Sequence, residues 1–155
     1  MPTITEYTPQ DQDGVWALHM RTITENAGFV KNVSFHSDMK NIPKVYTAFF
    51  VIRDQQTIAG MVGLKQLSGN ELEIKRLQVH PRYQGRGYGK ALLEKVFDYA
   101  GQHNITCLRL DVSEPQTAAL GLYKAMGFTV TKIERLAYGP DKEVFVSTFM
   151  EKRLS

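Results

Sequence analysis

The chain has 155 residues, of which 43% are apolar and 23% are charged, and its formal net charge is +3. A chain of this length is typical of one domain with a full hydrophobic core, so we expect a single domain over residues 1–155. The composition excludes an intrinsically disordered chain, and the lone Cys107 excludes an internal disulfide scaffold.

Membrane and nucleic-acid partners are not indicated. No segment reaches the roughly 18–20 consecutive apolar residues of a membrane-spanning helix, and the start from Met1 to Asp13 lacks the apolar core of a signal peptide. We therefore expect a cytoplasmic protein. A net charge of +3 over 155 residues is small for a nucleic-acid-binding surface, so the position of the basic residues matters more than their excess.

The N-terminal quarter of the chain predicts a strand and a helix. Apolar and polar residues alternate over Thr3–Tyr7, which predicts a short strand. Asp11 and Asp13 are candidate N-caps of an amphipathic helix that runs to about Glu25.

A second, weaker helix is expected after Ser37, and Pro43 should end it. Beyond it, runs rich in β-forming residues are separated by short turns, which predicts an antiparallel meander. Its strands are Tyr46–Arg53, Thr57–Leu67 and Glu71–Val79.

The C-terminal half predicts a helix over Gly87 to about Asn104 and a strand over Cys107–Val112, which forms a right-handed parallel crossover with the preceding strand. A short helix and a last hairpin follow, so the whole is an α/β fold with a mixed sheet. These later elements are Thr117–Met126 closed by Gly127, and Thr129–Leu136 with Glu143–Met150 around Gly139 and Pro140.

The fourth predicted strand changes its side-chain phase. Large aliphatic residues fall on the even positions Leu72 and Ile74 but on the odd positions Leu77 and Val79. One extra residue near Lys75–Arg76 would reset the alternation, so we predict a β-bulge there. A strand buried on both faces is the alternative.

A glycine-rich loop leads from this strand into the next helix. Gly85, Gly87 and Gly89 stand at every second position and leave backbone N–H groups free to point into one concavity at a helix N-terminus. Such a loop favours a phosphate or pyrophosphate. Residues 75–90 also hold five of the 19 basic residues and no acidic one, namely Lys75, Arg76, Arg82, Arg86 and Lys90.

Two other glycine loops fit less well. The nucleotide P-loop needs a hydroxyl residue after its lysine, but Ala91 follows Lys90. The dinucleotide fingerprint that starts at Gly85 has Lys90 in place of its third glycine. A solvated basic loop with no ligand is the remaining alternative.

The stretch from Glu71 to Lys90 resembles the acetyl-CoA site of the GNAT superfamily of N-acetyltransferases. The family loop has Gln or Arg, two residues, Gly, one residue, and Gly or Ala, and this chain has Gln84, Gly87 and Gly89 at those positions. Residues 116–128 resemble a second family segment. The resemblance implies a single-domain acyl-CoA N-acyltransferase-type fold, with a mixed, mostly antiparallel sheet of about seven strands, a bulged fourth strand and flanking helices.

The resemblance also implies cofactor-binding residues. The backbone of Leu77, Gln78 and Val79 would lie along the pantetheine and acetyl group, where a strand N–H polarises the thioester carbonyl. Gln116 stands where many relatives have Asn and would contact the cofactor. The pyrophosphate would be held by Gln84, Gly85, Arg86, Gly87, Tyr88, Gly89 and Lys90.

Two residues are implied as catalytic. Tyr123 would protonate the departing CoA thiolate, and its alternative is a tyrosine of the helical core. An ammonium acceptor with a pKa near ~10.4 must lose a proton before it attacks, so a general base is expected. Glu73 lies where some family members place this base, acting through water; the alternative is a solvent-facing strand carboxylate.

The remaining candidates are weaker. Cys107 begins an apolar strand and is expected to be a buried structural thiol. The four histidines lack metal-ligand spacing, so no metal is expected. Residues 27–36 and Tyr138 occupy regions where relatives shape the acceptor pocket, and a mobile surface loop is the alternative for the first of them.

The expected function is therefore direct transfer of the acetyl group of acetyl-CoA to a primary amine, a small molecule or a protein amine, in a ternary complex. A non-catalytic acyl-CoA-binding or sensing module is the alternative. A homodimer is possible under either function.

Overall fold

The fold is one seven-stranded sheet with helices on both faces, in a computed structural model that describes residues 2–154. The strands are β1 (Ile4–Glu6), β2 (Ala48–Asp54), β3 (Thr57–Ser68), β4 (Glu71–Val79), β5 (Cys107–Ser113), β6 (Thr129–Tyr138) and β7 (Glu143–Arg153). The α-helices are α1 (Gln12–Glu25), α2 (Ile42–Val45), α3 (Tyr88–Gln102) and α4 (Thr117–Ala125).

The strand order is β1-β2-β3-β4-β5-β7-β6. Among the strands of the described residues, only β4 and β5 pair in parallel, and the other neighbours are antiparallel. The predicted mixed α/β sheet, its meander and its single parallel crossover are therefore confirmed. Within residues 2–154, no helix is both long and apolar enough to cross a membrane.

The segment between α1 and β2 differs from the prediction. It forms a 3-10 helix over Val33–Lys40, which starts before Ser37, and then the short helix α2. Pro43 lies in the first turn of α2, so it does not end a helix as predicted. A proline is tolerated there because an N–H in the first turn has no intrahelical partner.

The core has one layer on each face of the sheet. Leu92, Leu93 and Val96 of α3 pack on one face, and Val15 and Leu18 of α1 pack on the other. All five side chains are buried. Since apolar burial is the main stabilising contribution to folding, these two layers hold the sheet rigid beneath the loops at its strand ends.

The bulge predicted in β4 is confirmed at Arg76. The two steps from Met61 to Gly63 on β3 lie opposite three steps from Gln78 to Lys75 on β4, so β4 carries one extra residue there. Arg76 has φ 58°, a conformation that costs a non-glycine residue about 1–3 kcal/mol. The surroundings of Arg76 must therefore hold it in place.

Strands β4 and β5 separate soon after they begin. Their parallel pairing is confined to Glu71–Glu73 and Cys107–Arg109. Beyond this point no strand pairs with the β5-facing edge of β4 in the described part of the chain. In α/β sheets, ligands bind beyond the carboxyl ends of parallel strands, where such a gap opens. We therefore expect the candidate site to lie in this gap.

Candidate functional site

Two cavities lie side by side in the gap between β4 and β5. The inner cavity has a volume of about 200 Å³ and the outer one about 280 Å³. They share lining residues and so form one cleft that runs from the glycine loop to the β6–β7 hairpin. The shared residues are Phe29, Leu77, Gln78 and Gln116.

The glycine loop presents free backbone donors at one end of the cleft. Gly85 and Gly87 have φ values of 79° and 81°, which glycine adopts without strain, and a Cβ at either position would meet no atom within 4 Å. The first hydrogen bond of α3 is donated by the Ala91 N–H to Gly87 O. The backbone N–H groups of residues 87–90 therefore have no intrahelical partner and can bind an anion.

Aromatic contacts hold the glycine loop. The Tyr83 ring is buried, stacks on Tyr88 at 5.8 Å and hydrogen-bonds to the Asp54 carboxylate. The Arg86 guanidinium lies 5.2 Å from the centre of the Tyr83 ring. Arg86 and Lys90 are exposed, so both cations are free to meet phosphate oxygens.

Gly89 lies where α3 approaches α4. A Cβ at Gly89 would stand 3.0 Å from Leu122 Cδ2 of α4. A larger residue would require the Leu122 side chain to move, and the next residue of α4 is Tyr123. The third glycine of the loop therefore allows the close approach of α3 to Leu122.

The polar side chains predicted to meet the cofactor already have protein partners. Gln84 Nε2 donates to Val79 O at 3.1 Å. Gln116 Nε2 donates to Ser113 Oγ at 2.6 Å and to Gly28 O at 3.3 Å. Both side-chain amides therefore stabilise the walls of the cleft. A cofactor that bound to either amide would share its N–H donors with these protein acceptors.

The backbone of β4 beyond the bulge lines the cleft. Gln78 and Val79 pair with Met61 and Gly60 of β3 on one side. Leu77 and Gln78 line both cavities, and Val79 lines the outer one. The other edge of this segment faces the gap, where its backbone groups are available to an extended ligand.

Tyr123 and Asp111 lie together in the inner cavity. The Tyr123 ring packs in the core beside Phe128, with ring centres 5.7 Å apart. Burial, with a contribution from the Asp111 carboxylate, raises the pKa of the Tyr123 phenol, which therefore stays protonated at neutral pH. The hydroxyl has no hydrogen-bond partner among residues 2–154, so its proton is free for a ligand.

Asp111 is a candidate base that the sequence analysis did not single out. The Asp111 side chain is exposed to the open cleft, and partial desolvation by the surrounding protein still raises the pKa of its carboxyl group, while the Lys75 ammonium and the Tyr138 hydroxyl act in the opposite direction. A carboxylate with a raised pKa is a better proton acceptor at neutral pH. Its position on β5 identifies it as a candidate, because it lies just beyond the residues that pair with β4, at the point where the gap opens.

Glu73, the predicted base, lies outside the residues that line either cavity. Glu73 pairs with Lys65 of β3 and with Arg109 of β5, and its pair with Arg109 is the last one between β4 and β5. At about 3.3 Å of rise per residue, it stands about 7 Å along the strand from Lys75, which does line the inner cavity. The structure therefore brings Tyr123 together with Asp111 rather than with Glu73.

The inner cavity is roofed by the segment after α1. Gly28 has φ 89°, and a Cβ there would lie 2.5 Å from Ser113 Oγ, so only glycine allows this contact. Ser113 Oγ donates to Gly28 O at 2.6 Å. The Lys31 N–H donates to Glu143 on the other side of the cavity, at 2.8 Å.

Phe35 and Tyr138 also line this cavity, with ring centres 6.5 Å apart. Residues 28–36 are thus tied to both β5 and the β6–β7 hairpin. They form a structured wall of the cavity.

The bulge residue Arg76 is held by an acidic partner. Arg76 Nε and Nη2 donate to Asp38 at 3.0 and 2.9 Å, and Tyr46 also hydrogen-bonds to Asp38. The Arg76 guanidinium keeps the pKa of the Asp38 carboxyl low against the effect of burial. This bidentate pair explains how a non-glycine residue keeps its unusual φ at the bulge.

Other titratable groups give no further centre in the described chain. Cys107 is fully buried, and burial raises the pKa of its thiol, as expected for a structural cysteine. Among residues 2–154, no group of three or more His, Cys, Asp or Glu side chains could hold a metal ion.

Comparisons with known sequences agree with this geometry. Residues 16–128 match the sequence model of the Acetyltransferase (GNAT) family. The chain is 31% identical to human N-acetyltransferase 8B over 110 residues, which are 64% of this chain and 48% of that protein. It is 30% identical to the IAA acetyltransferase of Azospirillum brasilense over 118 residues, or 76% of this chain and 74% of that protein.

The chain spans only part of several curated relatives, including 33% of human N-acetylaspartate synthetase, to which it is 31% identical over 61% of its own length. Solved structures resemble it over at least 95% of their lengths. A GNAT-family acetyltransferase of Staphylococcus aureus Mu50 has a TM-score of 0.81 at 23% identity, with 100% of both chains covered. An acetyltransferase of Salmonella typhimurium, solved with its cofactor acetyl-CoA, has a TM-score of 0.79 at 18% identity, covering 100% of this chain and 95% of that one.

The family match covers most of the chain, the fold is shared along its whole length, and the glycine loop opens into a cleft between separated parallel strands. The chain belongs to the acetyltransferase (GNAT) family.

Proposed function

We propose that this protein transfers the acetyl group of acetyl-CoA directly to a primary amine in a ternary complex. The observation that carries this proposal is the cleft between β4 and β5. It joins the free backbone donors of the glycine loop to a cavity that contains both Tyr123 and Asp111. Binding both reactants in one cleft lowers the barrier through proximity and orientation.

The cofactor would lie along this cleft from the loop to the cavity. The pyrophosphate would accept hydrogen bonds from the N–H groups at the start of α3, with Arg86 and Lys90 nearby. The pantetheine would lie along Leu77, Gln78 and Val79, whose free strand edge faces the gap. This arrangement would put the thioester in the inner cavity, beside Tyr123.

The reaction needs one base and one acid. The ammonium of the acceptor loses one proton to the base, which passes it to solvent, and the amine nitrogen then attacks the thioester carbonyl carbon. The nitrogen loses its second proton to solvent as the amide forms. The bond between that carbon and the CoA sulfur breaks, and the sulfur leaves as a thiolate. Tyr123 donates its phenol proton to this thiolate, and the tyrosine regains a proton from solvent.

We propose Asp111 as the base, with Glu73 as the alternative. Asp111 lines the cavity that holds Tyr123, and its raised pKa suits proton abstraction. Glu73 would need a chain of water molecules to reach the same cavity. The family resemblance favours Glu73, whereas the geometry favours Asp111.

The test is release of free thiol from acetyl-CoA in the presence of amines. The purified protein is incubated with acetyl-CoA and a panel of amino acids, polyamines, aminoglycosides and peptides, and both CoA thiol and the acetylated amine are measured. Amine-dependent thiol release is the expected result. Tight binding of acetyl-CoA without turnover across the panel would contradict the proposal and favour a non-catalytic acyl-CoA-binding module.

Two properties stay predictions from the sequence. They are a location in the cytoplasm and assembly as a homodimer.

A further inference from the structure

Lys75 of β4 and Asp111 of β5 line the same cavity from the two sides of the gap. The last parallel pair of the two strands is Glu73 with Arg109, and Lys75 and Asp111 each lie two residues beyond it. Residues two apart on a strand point to the same face, so both side chains lie on one side of the sheet. Both line the inner cavity.

The Lys75 ammonium has no ion-pair partner within 4 Å among residues 2–154. It also has no side-chain hydrogen bond within that part of the chain. Its charge influences Asp111 across the cavity without contacting it. The cavity therefore presents one cation and one carboxylate, separated by a space open to a ligand.

The other charged groups of this cavity are already satisfied. Arg76 is bound by the Asp38 carboxylate through two hydrogen bonds. His36 is buried, and burial lowers its pKa, so its ring is neutral at neutral pH. Lys75 and Asp111 are thus the charges left for recognition.

The rest of the cavity is small and is lined by both apolar and uncharged polar side chains. Phe35, Phe145 and Val30 supply apolar contacts beside Tyr138 and Ser147, and the volume of about 200 Å³ matches a molecule of amino-acid size. Residues 28–36 close it on the side of the β6–β7 hairpin through the bonds of Gly28 and Lys31. A large polycation would meet few acidic groups there.

We propose that the acetyl acceptor is a small amine that also carries a carboxylate, with a free amino acid as the simplest member of this class. Its amino group lies towards Asp111, its carboxylate pairs with Lys75, and an apolar side chain contacts Phe35 and Phe145. This proposal rests on the proposed acetyltransferase function, and it makes Lys75 a specificity-determining residue.

The experiment compares amines that differ only in the carboxylate. L-Phenylalanine is paired with 2-phenylethylamine, and L-leucine with 3-methylbutylamine. For each pair, acetylation is measured by thiol release, and equilibrium binding is measured by calorimetry in the presence of CoA. The wild-type protein is expected to bind and acetylate the amino acid at least about tenfold better than its decarboxylated partner, because a charged hydrogen bond is lost without the carboxylate.

Variants of Lys75 test the assignment. K75Q should abolish the preference for the carboxylate, and K75R, which keeps the charge, should retain most of it. K65Q is the matched control, since Lys65 is an exposed lysine of the neighbouring strand β3 that does not line the cavity. It should keep the wild-type preference.

The outcomes separate this proposal from the proposed function. Equal binding of both members of each pair, or a preference that K75Q leaves intact, overturns the carboxylate proposal even if amines are acetylated. A K75Q variant that only shifts the pH profile of kcat also overturns it, because Lys75 would then act through Asp111. If the protein binds carboxylate-bearing amines selectively, K75Q abolishes this selectivity and no amine is acetylated, the carboxylate proposal is supported. The proposed acetyltransferase function is then overturned.

Discussion

His19 Nε2 lies 2.8 Å from His36 Nδ1, and both rings are completely buried. His36 Nε2 donates to Val30 O at 2.6 Å, which leaves Nδ1 of His36 as the acceptor of the His19 proton. Gln78 Nε2 then donates to His19 Nδ1 at 2.9 Å. This chain of hydrogen bonds joins β4, beside the cleft, to the wall of the inner cavity, and it requires both rings to be neutral.

Acid should therefore destabilise the fold through His19. Burial, with help from the charge of Arg76, lowers the pKa of His19 to about 3 in the folded protein. An unfolded histidine has a pKa of about 6.5, so the unfolded chain binds the proton first, and stability falls as the pH drops below that value. We expect this residue to account for about 2 kcal/mol of lost unfolding free energy between pH 7 and pH 5.

Urea unfolding at the two pH values measures this effect. His19→Gln keeps a donor towards His36 but does not titrate, so the loss between pH 7 and pH 5 should shrink by about 2 kcal/mol. His103→Gln is the control, because His103 is exposed and stacks only on Tyr99. An unchanged pH dependence in the His19 variant would rule out this origin.

Removal of the Tyr123 hydroxyl should slow catalysis more than it weakens cofactor binding. Tyr123→Phe keeps the packing against Phe128 and removes the proton donor for the thiolate. We expect kcat to fall about 100-fold, with the Kd of acetyl-CoA within about threefold of wild type. Tyr99→Phe, which alters a tyrosine outside the cleft, should leave both quantities unchanged, and an unaltered kcat in Tyr123→Phe would exclude the acid role.

The two candidate bases can be separated by isosteric substitutions. Asp111→Asn removes a carboxylate from the inner cavity, and Glu73→Gln removes one outside it. We expect kcat/KM at pH 7 to fall about 100-fold or more for Asp111→Asn and less than fivefold for Glu73→Gln. Asp111→Asn should also remove the acidic limb of the pH–rate profile. A larger loss of kcat/KM in Glu73→Gln than in Asp111→Asn would instead identify Glu73 as the base.

Gly87 should be needed for cofactor binding because of its backbone conformation. Gly87→Ala forces an alanine into φ 81° at the N-terminus of α3, where the free N–H groups converge. We expect the Kd of acetyl-CoA to rise at least about tenfold, which is about 1.4 kcal/mol. Gly101→Ala is the matched control in the same helix, with open space for its Cβ, and it should bind acetyl-CoA normally. Equal Kd values for the two variants would contradict a role of the loop geometry.

Local patterns predicted the parts of the site that depend on neighbouring residues. The shift from even to odd aliphatic positions between Ile74 and Leu77 located the bulge, because a strand has a strict period of two. The spacing of Gly85 and Gly87 likewise predicted the loop at the start of α3.

Contacts between distant segments were not predictable in this way. Lys75 and Asp111 line one cavity only because β4 and β5 are neighbours in the sheet, and nothing in either local sequence encodes that pairing. His19 and His36 are 17 residues apart and match no metal or catalytic motif, so their contact emerges only when α1 packs against the following segment. The helix expected to end at Pro43 was wrong because proline is equally suited to a first turn.

The short pairing of β4 with β5 has a consequence for how the molecule unfolds. Within residues 2–154, three residue pairs form the only ladder between the β1–β4 half of the sheet and the half formed by β5, β7 and β6. Backbone amides of β5 should therefore exchange with deuterium faster than those of β3 in the free protein. A ligand that contacts both sides of the gap would couple the two halves and slow this exchange, so the cofactor would contribute to cooperative stability as well as to chemistry.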